Sequence, residues 1–262
     1  MGEGEEEAKT AVEILEKGDI FFFYRPKVEK EEAHGPEDVQ RFYLVLRPQG
    51  GGDGGDGVLR FMVMGRKALP DPSKKSTPYW GLVELATTDL QRIKEALKGR
   101  EYETATRGHR HLSDSRAAGE GVYRILNHGG RRGRHTHLVY KLEYPPEGVE
   151  GEPQEAFNIA RQASFLIQIK NPDLHSLQNK KKAAFPAPLQ GLFGHRRYHP
   201  ADPPDFLNHE GCEFLLISAS DDVEEELGLE LKTEHEQCPD LVRTFTDDDM
   251  ALLRPLFQGT WD

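Results

Sequence analysis

Arg25 and Lys27 stand two residues apart at the end of an aromatic run, GDIFFFYRPK, residues 18–27. In an extended strand, residues two apart share a face. Phe21, Phe23, Arg25 and Lys27 therefore fall on one side, and Ile20, Phe22 and Tyr24 on the other. A guanidinium fork beside an ammonium is suited to hold a carboxylate or a phosphate. The competing use of these charges is ion pairing with Glu29, Glu31, Glu32 or Asp38 nearby. VLRFMVMGRK, residues 58–67, ends the same way in Arg66 and Lys67; Arg41 opens RFYLVLRP, and Lys170 sits near the end of SFLIQIKNP. The expectation is that these six cations hold a small anionic molecule in a cleft between two similar halves. His128, His135 and His137 are the candidates for proton transfer on it, because imidazole titrates near neutral pH.

Two of those histidines also suit a metal. In a strand, His135 and His137 face the same way and Glu143 shares their parity, giving two imidazoles and a carboxylate. The spacing resembles the first motif of the cupins, with Gly129 in place before His135. It departs from it where Glu143 lies one residue too far and the next glycine comes too soon. The pattern HxH by itself also fits histidines flanking a turn. GGRRGR (129–134), with HRH (109–111) and Arg107, Arg110, Arg116 and Arg124, makes the densest basic patch. It could meet phosphates, with Tyr123 or Tyr140 for stacking; its alternative is a hairpin turn with solvated charges. No Gly-x-Ser-x-Gly is present, and Cys212 and Cys238 have no metal-type spacing. QGGGDGGDG (49–57) is not followed by Lys-Ser/Thr and a helix, so it is a flexible linker and not a phosphate cradle. No cofactor is expected.

The elements that must position these residues are mostly strands. FFFYRP (21–26), RFYLVLRP (41–48), VLRFMVMGRK (58–67) and YWGLVEL (79–85) are aromatic and β-branched and end at Pro or Gly. Thr88 to Gln91 fits a capping box opening the helix DLQRIKEALK, ended by Gly99. Thr10 is placed to cap a short helix, AVEILEK, that stops at Gly18. Thr246 is placed to cap a last helix, DDDMALL, broken at Pro255. The second half repeats the order: GEGVYRIL (119–126), HLVYKLEYP (137–145), SFLIQIKNP (164–172), EFLLISAS (213–220), then VEEELGLEL after Asp221. The fold predicted is α+β, β-rich and largely antiparallel, a duplicated ββββα unit forming one compact body. Residues 1–9 are a disordered acidic tail, 10–105 the first half and 106–262 the second. A mobile Pro-rich insertion, 172–212, lies over or beside their junction.

The 262 residues carry a formal net charge of −11, which repels phosphate backbones and anionic lipid at long range. No run approaches a membrane span, the N-terminus lacks a signal's apolar core, and two cysteines without a framework fit a reducing compartment. A soluble, cytosolic protein is expected, with a nuclear pool as the alternative.

The combination GDIFFFYRPKV, DVQRFYLVL, GRKALP, AGEGVY, EAFNIARQASFLIQIKNP, PADPPDFL and DVEEELG resembles a family of soluble proteins known only as uncharacterised, from about residue 14 to 260. The resemblance implies one structural unit over that span and brings no activity or site. A shorter likeness, Lys17-Gly18-Asp19 followed by Phe22-Phe23-Tyr24, is similar to PUA- and EVE-like modules that bind modified bases. It implies a nucleic-acid or modified-base binding module as the alternative function. A further alternative is a pocketless interaction protein that uses the insertion as its contact loop.

Overall fold

The computed structural model describes residues 12–50, 57–74, 78–106, 108–130, 133–149, 151–174, 182–229, 231, 245 and 250–261. The acidic tail 1–9, the middle of the glycine linker, Arg107, Arg131, Arg132, Cys238 and Thr246 lie outside the described residues.

Eight antiparallel strands close a barrel. The first four, β1 (Val12–Pro26), β2 (Val39–Pro48), β3 (Leu59–Met64) and β4 (Tyr79–Thr87), form a meander. A small separate hairpin, β5 (Arg100–Thr104) and β6 (Gly108–Leu112), follows. The second meander runs β7 (Arg116–Gly130), β8 (Gly133–Tyr144), β9 (Gln162–Lys170) and β11 (Glu213–Ser220), with the short β10 (Tyr198–Pro200) added beside β9. First strand pairs with first strand, β1 with β7, and fourth with fourth, β4 with β11. Both seams between the halves are hydrogen-bonded ladders, so the anticipated cleft between them does not open along either one.

Every strand expected from the aromatic and β-branched runs is present. A dense apolar run needs burial on both faces, and a barrel with outer helices supplies it. Ile20, Phe22 and Tyr24 point inward with Phe42, Leu44, Tyr123, Tyr140 and Phe165. Phe21 and Phe23 point outward, under α1 (Leu90–Leu97) and α5 (Met250–Gln258), against Ile93, Leu97, Leu253 and Leu256. A third cluster, Leu126 and Val139 with Val223 and Leu227, seats α4 (Val223–Leu227) on the outer wall. Barrels of eight strands have interiors that side chains can fill, and this one is filled. Phe157 and Trp261 pack on Tyr24, ring centroids 5.3 and 5.4 Å away. Phe193 and Phe206 close the interior where the insertion lies.

Four expectations are corrected. Residues 12–17 are strand and not helix: their pairing with Arg124–His128 of β7 overrides a helix-compatible sequence. Gly18 is a close approach, since a Cβ there would sit 2.1 Å from the Arg47 carbonyl oxygen. Secondly, the described part of the insertion is packed, not loose: it buries Ala183, Phe193, Ala201, Phe206, Leu207 and Cys212 in the main core. Thirdly, Pro255 lies inside α5 and does not end it. At α1 the cap is Asp89, whose carboxylate accepts from the Gln91 amide at 2.9 Å, one residue beyond the expected Thr88.

The echo between halves holds in face as well as order for the first two strands. Phe22 and Tyr24 face inward as Tyr123 and Ile125 do, and Phe42 and Leu44 as Leu138 and Tyr140 do. In the third and fourth strands it slips by one residue: Phe61 faces outward while Phe165 faces inward.

Candidate functional site

The end of β1 decides where the cations go. Pairing shifts between Arg25 and Pro26, so Lys27 leaves the face that Arg25 shares. The Lys27 amide then donates to the Asp38 carbonyl at 2.7 Å, tying the turn to the start of β2. Lys67, just past β3, donates its ammonium to the carbonyl of Val39, the first residue of β2. Arg41 stands two residues further along β2, exposed, as Lys27 and Lys67 are. The three cations thus gather on one rim. Their proximity is felt by Lys67, whose pKa is lowered by burial and by the charges of Lys27 and Arg41. Among the described residues no carboxylate pairs with any of the three; the nearby Asp38 is taken by Lys30 and by the His34 amide.

The other expected ligands are used elsewhere. Arg25 is 3% exposed and caps the end of α1. Its guanidinium donates to the carbonyls of Ala96 (2.7 Å), Ser113 (2.7 Å) and Lys98 (3.3 Å) and to the Tyr43 hydroxyl (3.2 Å). The last carbonyls of a helix have no partner within it and favour a cation, so the structural use of Arg25 is complete. None of the suggested acids pairs with it. Arg66 lies over the Tyr79 ring at 4.7 Å. Lys170 is bound to Glu213 at 2.6 Å and lies 5.1 Å from the Trp80 ring centre. Grooves of about 390 and 400 Å³ run beside Arg161 and Arg116, but none of the three rim cations lines either. Among the described residues, the side chains of Lys27, Arg41 and Lys67 are exposed, and the grooves beside Arg161 and Arg116 are lined by others.

The histidines form a separate group. His128 and His135 face each other across the β7–β8 ladder, and His137 lies over Leu126 under α4. His137 is 3% exposed, with its Nδ1 3.0 Å from the Ser164 hydroxyl and 3.9 Å from Glu226 Oε1. Burial, with the neighbouring His128 and His135, lowers its pKa to about 4. Burial raises that of Glu226, against the pull of Ser164 and His128. A serine–histidine relay needs the hydroxyl on one ring nitrogen and the carboxylate on the other; here both sit at Nδ1, and Ser164 is sealed from solvent. The His135–His137–Glu143 metal set is not assembled. β8 runs unbroken from Gly133 to Tyr144, which places Glu143 roughly 20 Å from His137 along the strand. Among the described residues no group of three or more His, Cys, Asp or Glu is arranged to hold a metal ion. Nor do the histidines share the cationic rim. His128 is opposite Val12, and the rim begins past Pro26, roughly 45 Å of strand away.

The basic patch is also divided. Arg110 pairs with Glu29 at 3.2 Å, His111 with Glu31 at 3.0 Å and His109 with Glu101 at 3.3 Å, while Arg134 pairs with Glu13. Arg116 donates to the carbonyls of Asp114 and Glu31.

One buried charged network was not foreseen. Arg60, 2% exposed, makes a two-pronged contact with Glu16 at 2.5 and 2.7 Å, and its Nε donates to Asn208 of the insertion at 2.9 Å. The Tyr123 hydroxyl donates to the same Glu16 at 2.7 Å. Burial opposes the Arg60 charge, but Glu16 more than compensates and its pKa stays raised. Reading residues 11–17 as a helix hid Glu16; as a strand, its partner is legible only once β3 is placed. Cys212 lies in the core, and burial pushes its thiol far up, away from nucleophilic use.

No family model, curated protein or solved structure matches this chain. Among the described residues no helix is long and apolar enough to cross a membrane.

Proposed function

We propose that the protein binds a small anionic molecule on the rim formed by Lys27, Arg41 and Lys67. The observation that supports it is the convergence of three cations, tied together through the backbone of Asp38 and Val39, with no carboxylate among the described residues to neutralise them. Like charges held close are unfavourable unless something of opposite sign resides there, and an anion relieves all three at once. An open rim gives a salt-sensitive association rather than a sealed pocket. We assign it as a binding function, and the distant histidines take no part in it.

The test is thermal denaturation with inorganic phosphate, sulfate and small di- and tricarboxylates at low ionic strength. A ligand that binds only the native state raises the melting temperature. A rise with one of these anions that vanishes in Lys67→Met and fades with added chloride is the expected outcome. Equal responses in the wild type and Lys67→Met would refute the assignment.

We further infer that the two meanders are copies of one ββββα unit, from the shared strand order and the matching inward faces of the first two strands, with a one-residue slip in the other two. Superposing β1 and β2 on β7 and β8 should align those inward side chains; alignment only after a one-residue shift would count against it.

A further inference from the structure

Three imidazoles share one patch of the outer wall, where β7 ends and β8 begins. Residues directly opposed in a ladder point to the same face, with Cβ atoms about 4.5–5.5 Å apart. His128 and His135 are such a pair. His137 lies two residues beyond His135, so it stands on that face too, diagonal to His128. The His128 and His137 rings are 6.0 Å apart between centroids and inclined at 75°. Two imidazoles on one ion, with nitrogen–metal distances of about 2.0–2.1 Å, have ring centres roughly 5–6 Å apart.

The hydrogen bonds of His137 leave one ring nitrogen unused. Its Nδ1 lies 3.0 Å from the Ser164 hydroxyl. That hydroxyl also bonds the Glu226 carboxylate. A hydroxyl has a single proton. When it goes to the carboxylate, the Ser164 oxygen accepts from Nδ1–H, and the lone pair of His137 resides on Nε2. The side chain is 3% exposed, yet among the described residues nothing donates to Nε2. Metal-binding histidines are held in this way, one ring N–H fixed by an oxygen group and the other nitrogen open. His128 and His135 have no hydrogen-bond or ion-pair partner among the described residues.

We propose that His128 and His137, joined by His135, bind a divalent cation of the zinc, copper or nickel class. Imidazole nitrogen suits these ions, whereas magnesium and calcium take oxygen ligands. No group of three is arranged for a metal as the side chains stand. His135, exposed and opposite His128, is the ring that must turn to complete the set. The facing strand thus supplies the ligand that alternation along β8 sought in Glu143. Water fills the remaining position. Glu226 lies 3.9 Å from Nδ1, with its Oε2 unpartnered, and offsets the charge of the ion through Ser164. The inference does not rest on the anion rim.

The test uses the intact protein, stripped with EDTA and titrated with zinc chloride by calorimetry. Expected is one ion per chain, with magnesium chloride giving no binding heat. His128→Gln should weaken zinc binding at least about tenfold with the metal-free melting temperature retained, and His135→Gln should weaken it less. The chain has eleven histidines, so the ligands must also be seen directly. Proton–nitrogen correlation of the imidazoles should show zinc on Nε2 of His137, with Nδ1 still protonated, and a shift at His128. That readout does not depend on a variant folding. No zinc binding, an affinity unchanged in His128→Gln, an equal response to magnesium, or unmoved His128 and His137 signals each overturns the proposal.

Discussion

Acid should weaken this fold through His137, by an amount the structure sets. The imidazole is buried against Ser164 on β9 and Glu226 on α4, with His128 and His135 beside it. Its pKa falls from 6.5 to about 4, through burial first and then the two histidines. A base with a lowered folded pKa binds fewer protons folded than unfolded, so stability is full above the unfolded value and is lost as pH drops toward the folded one. Integrating the linkage gives a loss of about 1.4 kcal/mol by roughly pH 5.5 and about 2.6 kcal/mol by roughly pH 4.5. Carboxylates add their own acid dependence. Glu226 acts in the opposite sense, because its raised pKa favours the folded state as it protonates. Both effects remain in His137→Gln, which keeps a polar group for the Ser164 hydroxyl. Urea unfolding of both proteins between about pH 7.5 and pH 4.5 isolates the histidine: the wild type should lose about 2–3 kcal/mol more than the variant. Parallel curves, or an imidazole that titrates near 6.5 by NMR, would refute the reasoning.

Removing one partner of the Arg60–Glu16 pair should cost about 3–5 kcal/mol, because the other charge is left in the barrel; chemical unfolding of Glu16→Gln and Arg60→Leu measures it, and the double change to leucine should recover most of the loss. Gly81→Ala should destabilise by about 1–3 kcal/mol, since its Cβ would lie 2.1 Å from the Phe214 ring, and Phe214→Leu should relieve it in the same assay. Arg25→Lys should lower the melting temperature nearly as much as Arg25→Met, because an ammonium cannot reach three carbonyls spread over Ala96, Lys98 and Ser113; neither change should alter the anion response of the rim.

The strands were legible because their signal is local. Aromatic and β-branched runs ended by Pro or Gly identify a strand without knowledge of its partners. The barrel was not, since closure depends on β9 pairing with both β8 and β11 and on β1 meeting β7, which are contacts between distant segments. The first residues of β1 failed for the same reason. VEILEK alone suits a helix, and only the far end of β7 makes it a strand. The insertion misled because prolines and charges signal a surface loop, while its phenylalanines fill the barrel.

The site was half legible, and the dividing line falls between Arg25 and Lys27. Alternation places them on one face, but alternation holds only while the ladder does, and the register breaks at Pro26. Arg25 stays in the ladder beneath α1, where open carbonyls take its whole fork. Lys27 follows the chain around to Asp38 and meets Arg41 and Lys67. A cation at a strand end is therefore weak evidence for a ligand until its neighbours are known. A guanidinium saturated by carbonyls has nothing left to offer an anion, whereas cations gathered together with no carboxylate partner among the described residues do. By that criterion the same stretch of sequence supplies one structural cation, Arg25, and one, Lys27, that is open to the proposed anion.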